Sequence, residues 1–243
     1  MYIVLQFFIN LFFRFIKNKS FIIPEPVVTS HISRYDLYQN IYESKFALWS
    51  DTGVNICGFR DESGLAEGVW NDVISICYRD AEGRGVVEEF IGTTDPGDGA
   101  IKTTGEWSYC NKDLSEVFKK SRGAAHLCPG FYRAWKYGKH RGYSALVQTA
   151  GKVKVWADFN IADPTIWKLE NNIRKDFCGI NIHYGLGKEN RIWMASQGCQ
   201  VIQGMEQWKR FIFIIEMFEK KEPGRIYSYL LIDKKDYPRR EIL

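Results

Sequence analysis

The stretch FYRAWKYGKHRGYSALVQTAGKVKVW, residues 131–156, decides the fold class. Three runs within it, Phe131 to Tyr137, Ala145 to Val147 and Val153 to Trp156, are short, rich in aromatic and β-branched residues, and parted by glycine-containing turns. Such side chains fit a pleated, half-buried surface, and glycine between them punctuates strands. The same texture recurs at Val54 to Phe59, Val73 to Tyr78, Val86 to Ile91, Gly179 to His183, Ile192 to Ala195 and Tyr227 to Ile232. A mainly β architecture follows, built as a β-sandwich or a twisted mixed sheet. Two segments break the pattern. Between His31 and Trp49, the residues Tyr35, Leu37, Tyr38, Ile41, Tyr42 and Phe46 are spaced for a short amphipathic helix. From Met205 to Lys221, Trp208, Phe211, Ile212, Ile215 and Phe218 form an apolar helical face that Pro223-Gly224 terminates.

The chain of 243 residues has 45% hydrophobic and 15% aromatic content, enough to close one sizeable core. Its formal charge of +4 is too small to point to nucleic acid, and its basic residues are scattered except at Arg14 to Lys19 and Lys119 to Arg122. Six cysteines, at 57, 77, 110, 128, 178 and 199, include no C-x-x-C pair, so the sequence offers no cysteine-built metal site and no cofactor is expected. Cys77 and Cys178 sit in apolar runs and are expected as buried free thiols.

Residues Tyr2 to Ile16 are mostly Phe, Leu and Ile, with Gln6, Asn10, Arg14 and Lys17 forming one narrow polar stripe. The apolar run is shorter than the roughly 20 residues that span a bilayer. It also lacks the basic flank and small-residue cleavage site of a secretory signal. Residues 1–19 therefore read as an interfacial anchor or signal-anchor at a membrane surface, with a role-free extension as the alternative. Pro24-Glu25-Pro26 makes a stiff linker. Residues 1–26 are thus set apart from a single domain over 27–243, expected as a monomer.

Candidate chemistry lies in Gly179-Ile180-Asn181-Ile182-His183 and in Ser196-Gln197-Gly198-Cys199, which starts thirteen positions after the histidine. A thiol is a weak nucleophile at neutral pH unless an adjacent imidazole takes its proton, and His183 can serve Cys199 in that way. Ser196 is expected to fix the turn by bonding backbone, and the amides of Gly198 and Cys199 to form an oxyanion hole.

This combination resembles the catalytic signature of the L,D-transpeptidases of YkuD type, in which a strand-borne histidine precedes a Ser/Thr-x-Gly-Cys turn. The chain from about Trp70 onward is also similar to a phage- and prophage-associated group carrying the motifs found here at Thr93 to Gly97, Pro129 to Arg133, His140 to Gly142 and Ser196 to Val201. The resemblance implies an L,D-transpeptidase-like fold and a cysteine enzyme acting on peptidoglycan stem peptides by cross-linking or hydrolysis. It also implies a place in the cell envelope or a phage-encoded role in lysis or wall remodelling. The chain departs from the family at Gln197, where a second histidine is usual, and at Gln200-Val201, where an apolar residue and arginine are usual. Arg141 is then the candidate to grip a substrate carboxylate, with His140, Gln197 and Tyr184 as further substrate contacts.

Two other readings stand beside this one. His126, His140 and His183 with Asp95 or Asp158 would be chemically adequate for a zinc hydrolase, although no local His pair orders two ligands on one element. A cell-surface or virion binding protein could retain the fold without activity. Thr93 to Gly97 reads as a turn in which Asp95 bonds backbone and Gly97 supplies a positive φ. Trp135, Tyr137, Trp156 and Trp193 are either cleft walls or core.

Overall fold

Eight strands close into a barrel in a computed structural model that describes residues 32–61, 63, 68–102, 124–159, 170, 173–188 and 190–238. In chain order they are β1 (Asn55–Arg60), β2 (Asp72–Arg79), β3 (Gly85–Thr93), β5 (Gly130–His140), β6 (Tyr143–Gln148), β9 (Ile182–Gly185), β10 (Gln200–Gln203) and β11 (Ile226–Asp233). Around the barrel the order is β1-β11-β5-β6-β9-β10-β3-β2. Pairs β1·β11 and β9·β10 are parallel and the others antiparallel. The structure is mainly β, and of the two arrangements expected it has the mixed sheet, which closes on itself and so leaves no open edge. A second sheet, β4-β7-β8, comprises β4 (Ala124–Leu127), β7 (Val153–Phe159) and β8 (Ile173–Asp176).

Three α-helices accompany the strands among the described residues: α1 (Arg34–Ser44), α2 (Asp98–Lys102) and α3 (Met205–Lys221). Helix α3 links β10 to β11 and buries the face expected of it, Trp208, Phe211, Ile212, Ile215 and Phe218 together with Ile214. These side chains join Trp135, Tyr229 and the barrel aliphatics in one core, each contributing about 1.5–3 kcal/mol of transfer free energy. Helix α1 is capped by Ser33, whose Oγ accepts the Asp36 N–H. It lays Tyr35, Tyr38 and Tyr42 over a smaller cluster with Cys57, Phe59 and Cys77. Phe46 lies beyond the helix end with φ 53° and is 97% exposed, so it is not part of the buried face expected of this helix.

Two expected strands differ. Ile192 to Ala195 is not a strand: Trp193 to Ala195 form a single 3-10 turn, entered through Ile192, whose N–H donates to Gly68 O at 2.7 Å. Only the end of Gly179 to His183 is strand, because β9 starts at Ile182. The segment before it is held by side chains instead: Trp135 Nε1 donates to Ile180 O at 2.6 Å, and Ile180 N donates to Gln148 Oε1 at 2.9 Å. The described residues from Ser33 onward form one compact unit. The expected anchor and linker at 1–26, Cys110 and the basic run 119–122 fall outside the described residues. Among the described residues no helix is long and apolar enough to cross a membrane.

Candidate active site

Strands β9 and β10 run parallel with His183 opposite Val201. Cys199 immediately precedes β10, while His183 lies within β9. Both line a cavity of about 310 Å³ with His140, Arg141, Asn181, Gln197 and Met194. No carboxylate is among its described lining residues, and Arg141 is the one formal charge.

The turn that presents Cys199 is built as expected of Ser196. This residue is fully buried; its Oγ donates to Cys199 O at 2.8 Å and accepts the Gly198 N–H at 3.1 Å. Gly198 is required twice over, by φ +128° and because a Cβ there would lie 2.2 Å from Ala125 O. One expectation fails at this point: the Gly198 amide is engaged by Ser196 Oγ and is not available as an oxyanion donor, which leaves the Cys199 amide of the expected pair.

Thr93 to Gly97 does reach the site, through Gly97 N–H donating to Ser196 O at 2.9 Å. Gly97 is needed for closeness rather than for positive φ, since a Cβ would fall 1.9 Å from Trp193 O. The Asp95 side chain is not the simple turn former expected. It meets Arg60 Nε at 2.8 Å and His126 Nε2 at 2.5 Å, while Thr93 Oγ1 accepts the Asp95 N–H. Arg60 also donates to Thr94 O, Thr94 Oγ1 and Leu127 O, and Asp72 accepts from the N–H of Thr94 and Asp61. Burial and the nearby Asp95 charge push the Asp72 carboxyl upward. Gln200 ties this layer to the turn, donating to Gly198 O and accepting from Tyr229 OH. A buried, closely bonded polar layer of this kind is rigid and supports the turn from below.

Cys199 is half-buried, and its Sγ contacts are the Asn181 N–H at 3.4 Å and Gly179 O at 3.5 Å. The sulfur is not hydrogen-bonded to His183 in this conformation. Burial pushes the thiol up to about 11, opposed by the Asn181 amide and the Arg141 cation. Burial likewise drives His183 down to about 4, helped by His140 and Arg141 and opposed by its bond to Tyr184 O. The resting pair is therefore neutral thiol and neutral imidazole. His183 Nδ1 lies 2.8 Å from Tyr184 O; a carbonyl can only accept, so Nδ1 carries the proton and Nε2 holds the lone pair. Tyr184 thus contributes its backbone carbonyl, and its ring packs edge-on against Tyr143.

His140 and Arg141 sit at the tip of the β5–β6 hairpin, where Arg141 (φ 48°) and Gly142 (φ 90°) make the left-handed pair of a two-residue turn. His140 stacks on His183 at 4.7 Å between ring centroids. The aromatic residues weighed as cleft walls lie elsewhere: Trp135 is core, Tyr137 bonds Glu216, Trp156 stacks on His126, and Trp193 is partly exposed beside Gly99. The histidines of the zinc reading are divided, with His126 in the buried layer and His140 and His183 in the cavity. Among the described residues no group of three His, Cys, Asp or Glu side chains is placed to hold a metal ion. Cys57, Cys77 and Cys128 are buried free thiols, and Cys178 is buried as well. No protein-family model, curated protein or solved structure matches the chain.

Proposed function

We propose that this protein is a cysteine-dependent acyl-transfer enzyme acting on peptidoglycan stem peptides. The observation that carries the reading is the shared cavity lined by a half-buried Cys199 and by His183, whose tautomer leaves Nε2 as a base. Cys199 Sγ attacks an amide carbonyl as its proton passes to His183 Nε2. The C–N bond then breaks, and the leaving amine takes that proton. A second amine resolves the thioester to a cross-link, and water resolves it to a cleaved peptide.

Because both groups are neutral at rest, proton transfer accompanies attack instead of preceding it. A rotation about the Cys199 side chain breaks only two long contacts to sulfur, a weak donor and acceptor, and catalytic hydrogen bonds often tighten only with substrate bound. The cavity's composition suits a peptide bearing a free carboxylate, with Arg141 at the rim and no acidic lining residue to repel it. The absence of a sulfur–imidazole hydrogen bond is the observation that favours the second reading, a binding protein that keeps the fold without turnover.

The test is mass spectrometry of muropeptides incubated with wild type and with Cys199→Ala. A new product mass or a thioester adduct with wild type alone supports the enzyme. Equal product from both variants refutes the cysteine mechanism, and binding without product from wild type leaves the binding protein.

A further inference from the structure

Asn181 fixes more than the loop before β9. Its Oδ1 accepts the backbone N–H of Gln148 at 3.0 Å, which determines which end of the amide is oxygen. The other end, Nδ2, is then a donor and lies 3.1 Å from His140 Nδ1. His140 must accept there, so its own proton sits on Nε2. The stacked neighbour has the opposite arrangement, with the proton on Nδ1 and the lone pair on Nε2. Neither Nε2 has a protein hydrogen-bond partner among the described residues, neither is sealed from solvent, and both rings line the same cavity. One cavity thus contains an imidazole acceptor and an imidazole donor side by side.

The reaction needs a donor at this point. Negative charge develops on the carbonyl oxygen as sulfur attacks, and preorganised donors aimed at that oxygen are commonly the largest contribution to acyl transfer. The Gly198 amide is already committed to Ser196 Oγ. Resting on the acyl-transfer reading above, we propose that His140 is a second catalytic residue, a neutral histidine whose Nε2–H holds the carbonyl oxygen while His183 Nε2 takes the thiol proton, with Asn181 as the residue that sets its tautomer.

The step balances with His140 as a spectator to proton transfer. The Sγ–C bond forms, the carbonyl π pair moves to oxygen, and the thiol proton passes to His183. On collapse the C–N bond breaks and His183 returns that proton to the amine. His140 keeps its proton throughout and lends only a hydrogen bond. Partial burial, helped by the Arg141 cation beside it, holds His140 below the ordinary histidine value, which keeps it neutral.

The experiment compares two reactions at Cys199 that need no natural substrate. Acylation by p-nitrophenyl acetate passes through an oxyanion, whereas alkylation by iodoacetamide does not. His140→Phe keeps a flat stacking ring and removes the donor; it should slow acylation by about 10²–10³-fold, the usual cost of one lost oxyanion donor, and leave alkylation within about threefold. His140→Gln, which restores an N–H donor, should recover at least tenfold of that loss. Nitrogen-15 imidazole spectra should place the His140 proton on Nε2 in wild type and move it to Nδ1 in Asn181→Asp, where a carboxylate replaces the donor.

Equal slowing of acylation and alkylation in His140→Phe overturns the proposal, as does a wild-type His140 protonated on Nδ1. No acylation of wild type at Cys199 overturns it together with the nucleophile. If p-nitrophenyl acetate acylates wild type and His140→Phe shows the selective loss while muropeptides are untouched, the donor role stands and the stem-peptide reading falls.

Discussion

Ser196→Ala removes one oxygen and should cost this protein more than most surface changes cost, because that oxygen belongs to a fully buried side chain and serves two backbone groups of the turn. The Gly198 N–H loses its acceptor and the Cys199 carbonyl loses its donor. Leaving a buried backbone group unsatisfied costs about 1–3 kcal/mol, so two such losses with partial relaxation amount to roughly 2–4 kcal/mol. The methyl of alanine fits wherever the serine fitted, so neither overpacking nor a large cavity confuses the result. Urea unfolding followed by tryptophan fluorescence reads the stability, and the rate of Cys199 alkylation at fixed pH reads the turn. The expected outcome is a lower midpoint with unchanged slope, together with an alkylation rate altered severalfold as the turn loosens. A loss below about 0.5 kcal/mol with unchanged alkylation would mean that water or a rotated peptide replaces the oxygen, and Ser196 would not be what positions the nucleophile. Gly198→Ala gives the companion result. Its Cβ meets Ala125 O at 2.2 Å at a φ of +128°, and it should be at least as damaging to both readouts.

With the Cys199 thiol pushed up to about 11, the thiolate fraction at pH 7 is about one in ten thousand, and iodoacetamide labelling should rise about tenfold per pH unit up to that value; a plateau below pH 8 would indicate a resting ion pair instead. The base must be neutral to act, so kcat/KM should fall on acidification through about 4 and not near 6.5, which a pH–rate profile measures directly. The same lowered His183 value has a stability consequence. Between about pH 6.5 and 4 the unfolded chain takes up a proton that the native state does not, so stability rises with pH across that window, and His183→Gln should flatten the rise in urea titrations at several pH values. Arg141→Asn relieves a left-handed arginine and should leave stability unchanged or raise it by up to about 1 kcal/mol, while KM for a carboxylate-bearing peptide rises roughly tenfold or more. An unchanged KM would assign Arg141 to the turn alone.

The amino-acid sequence determined the class of the fold by local rules. Alternating β-branched and aromatic runs can bury one face only as strands, and the 3.6-residue spacing of Trp208, Phe211, Ile215 and Phe218 can bury one face only as a helix. Residue types likewise told that Ser196 would bond backbone, whereas the pairing of Cys199 with His183 rested on their spacing and resemblance and belongs to the proposal. Barrel closure was not legible, because the parallel pairings of β1 with β11 and β9 with β10 join segments far apart in the chain or separated by irregular loop. The short strands β4, β8 and β10 carry too few residues for periodicity to register. Ile192 to Ala195 has the composition of a strand, but it closes as a 3-10 turn through Ala195 N–H to Ile192 O, with Ile192 N–H bonded to Gly68 O.

Tertiary structure alone decided which way each polar group faces. It placed Asp95 and His126 with Arg60 beneath the turn, took the Gly198 amide out of use, and brought a hairpin tip from β5–β6 over a loop some 40 positions later so that His140 stacks on His183. A histidine's tautomer depends on which atom stands opposite each ring nitrogen. For His140 that atom is Asn181 Nδ2, oriented in turn by Gln148 N–H, a relation among three residues that no spacing along the chain encodes.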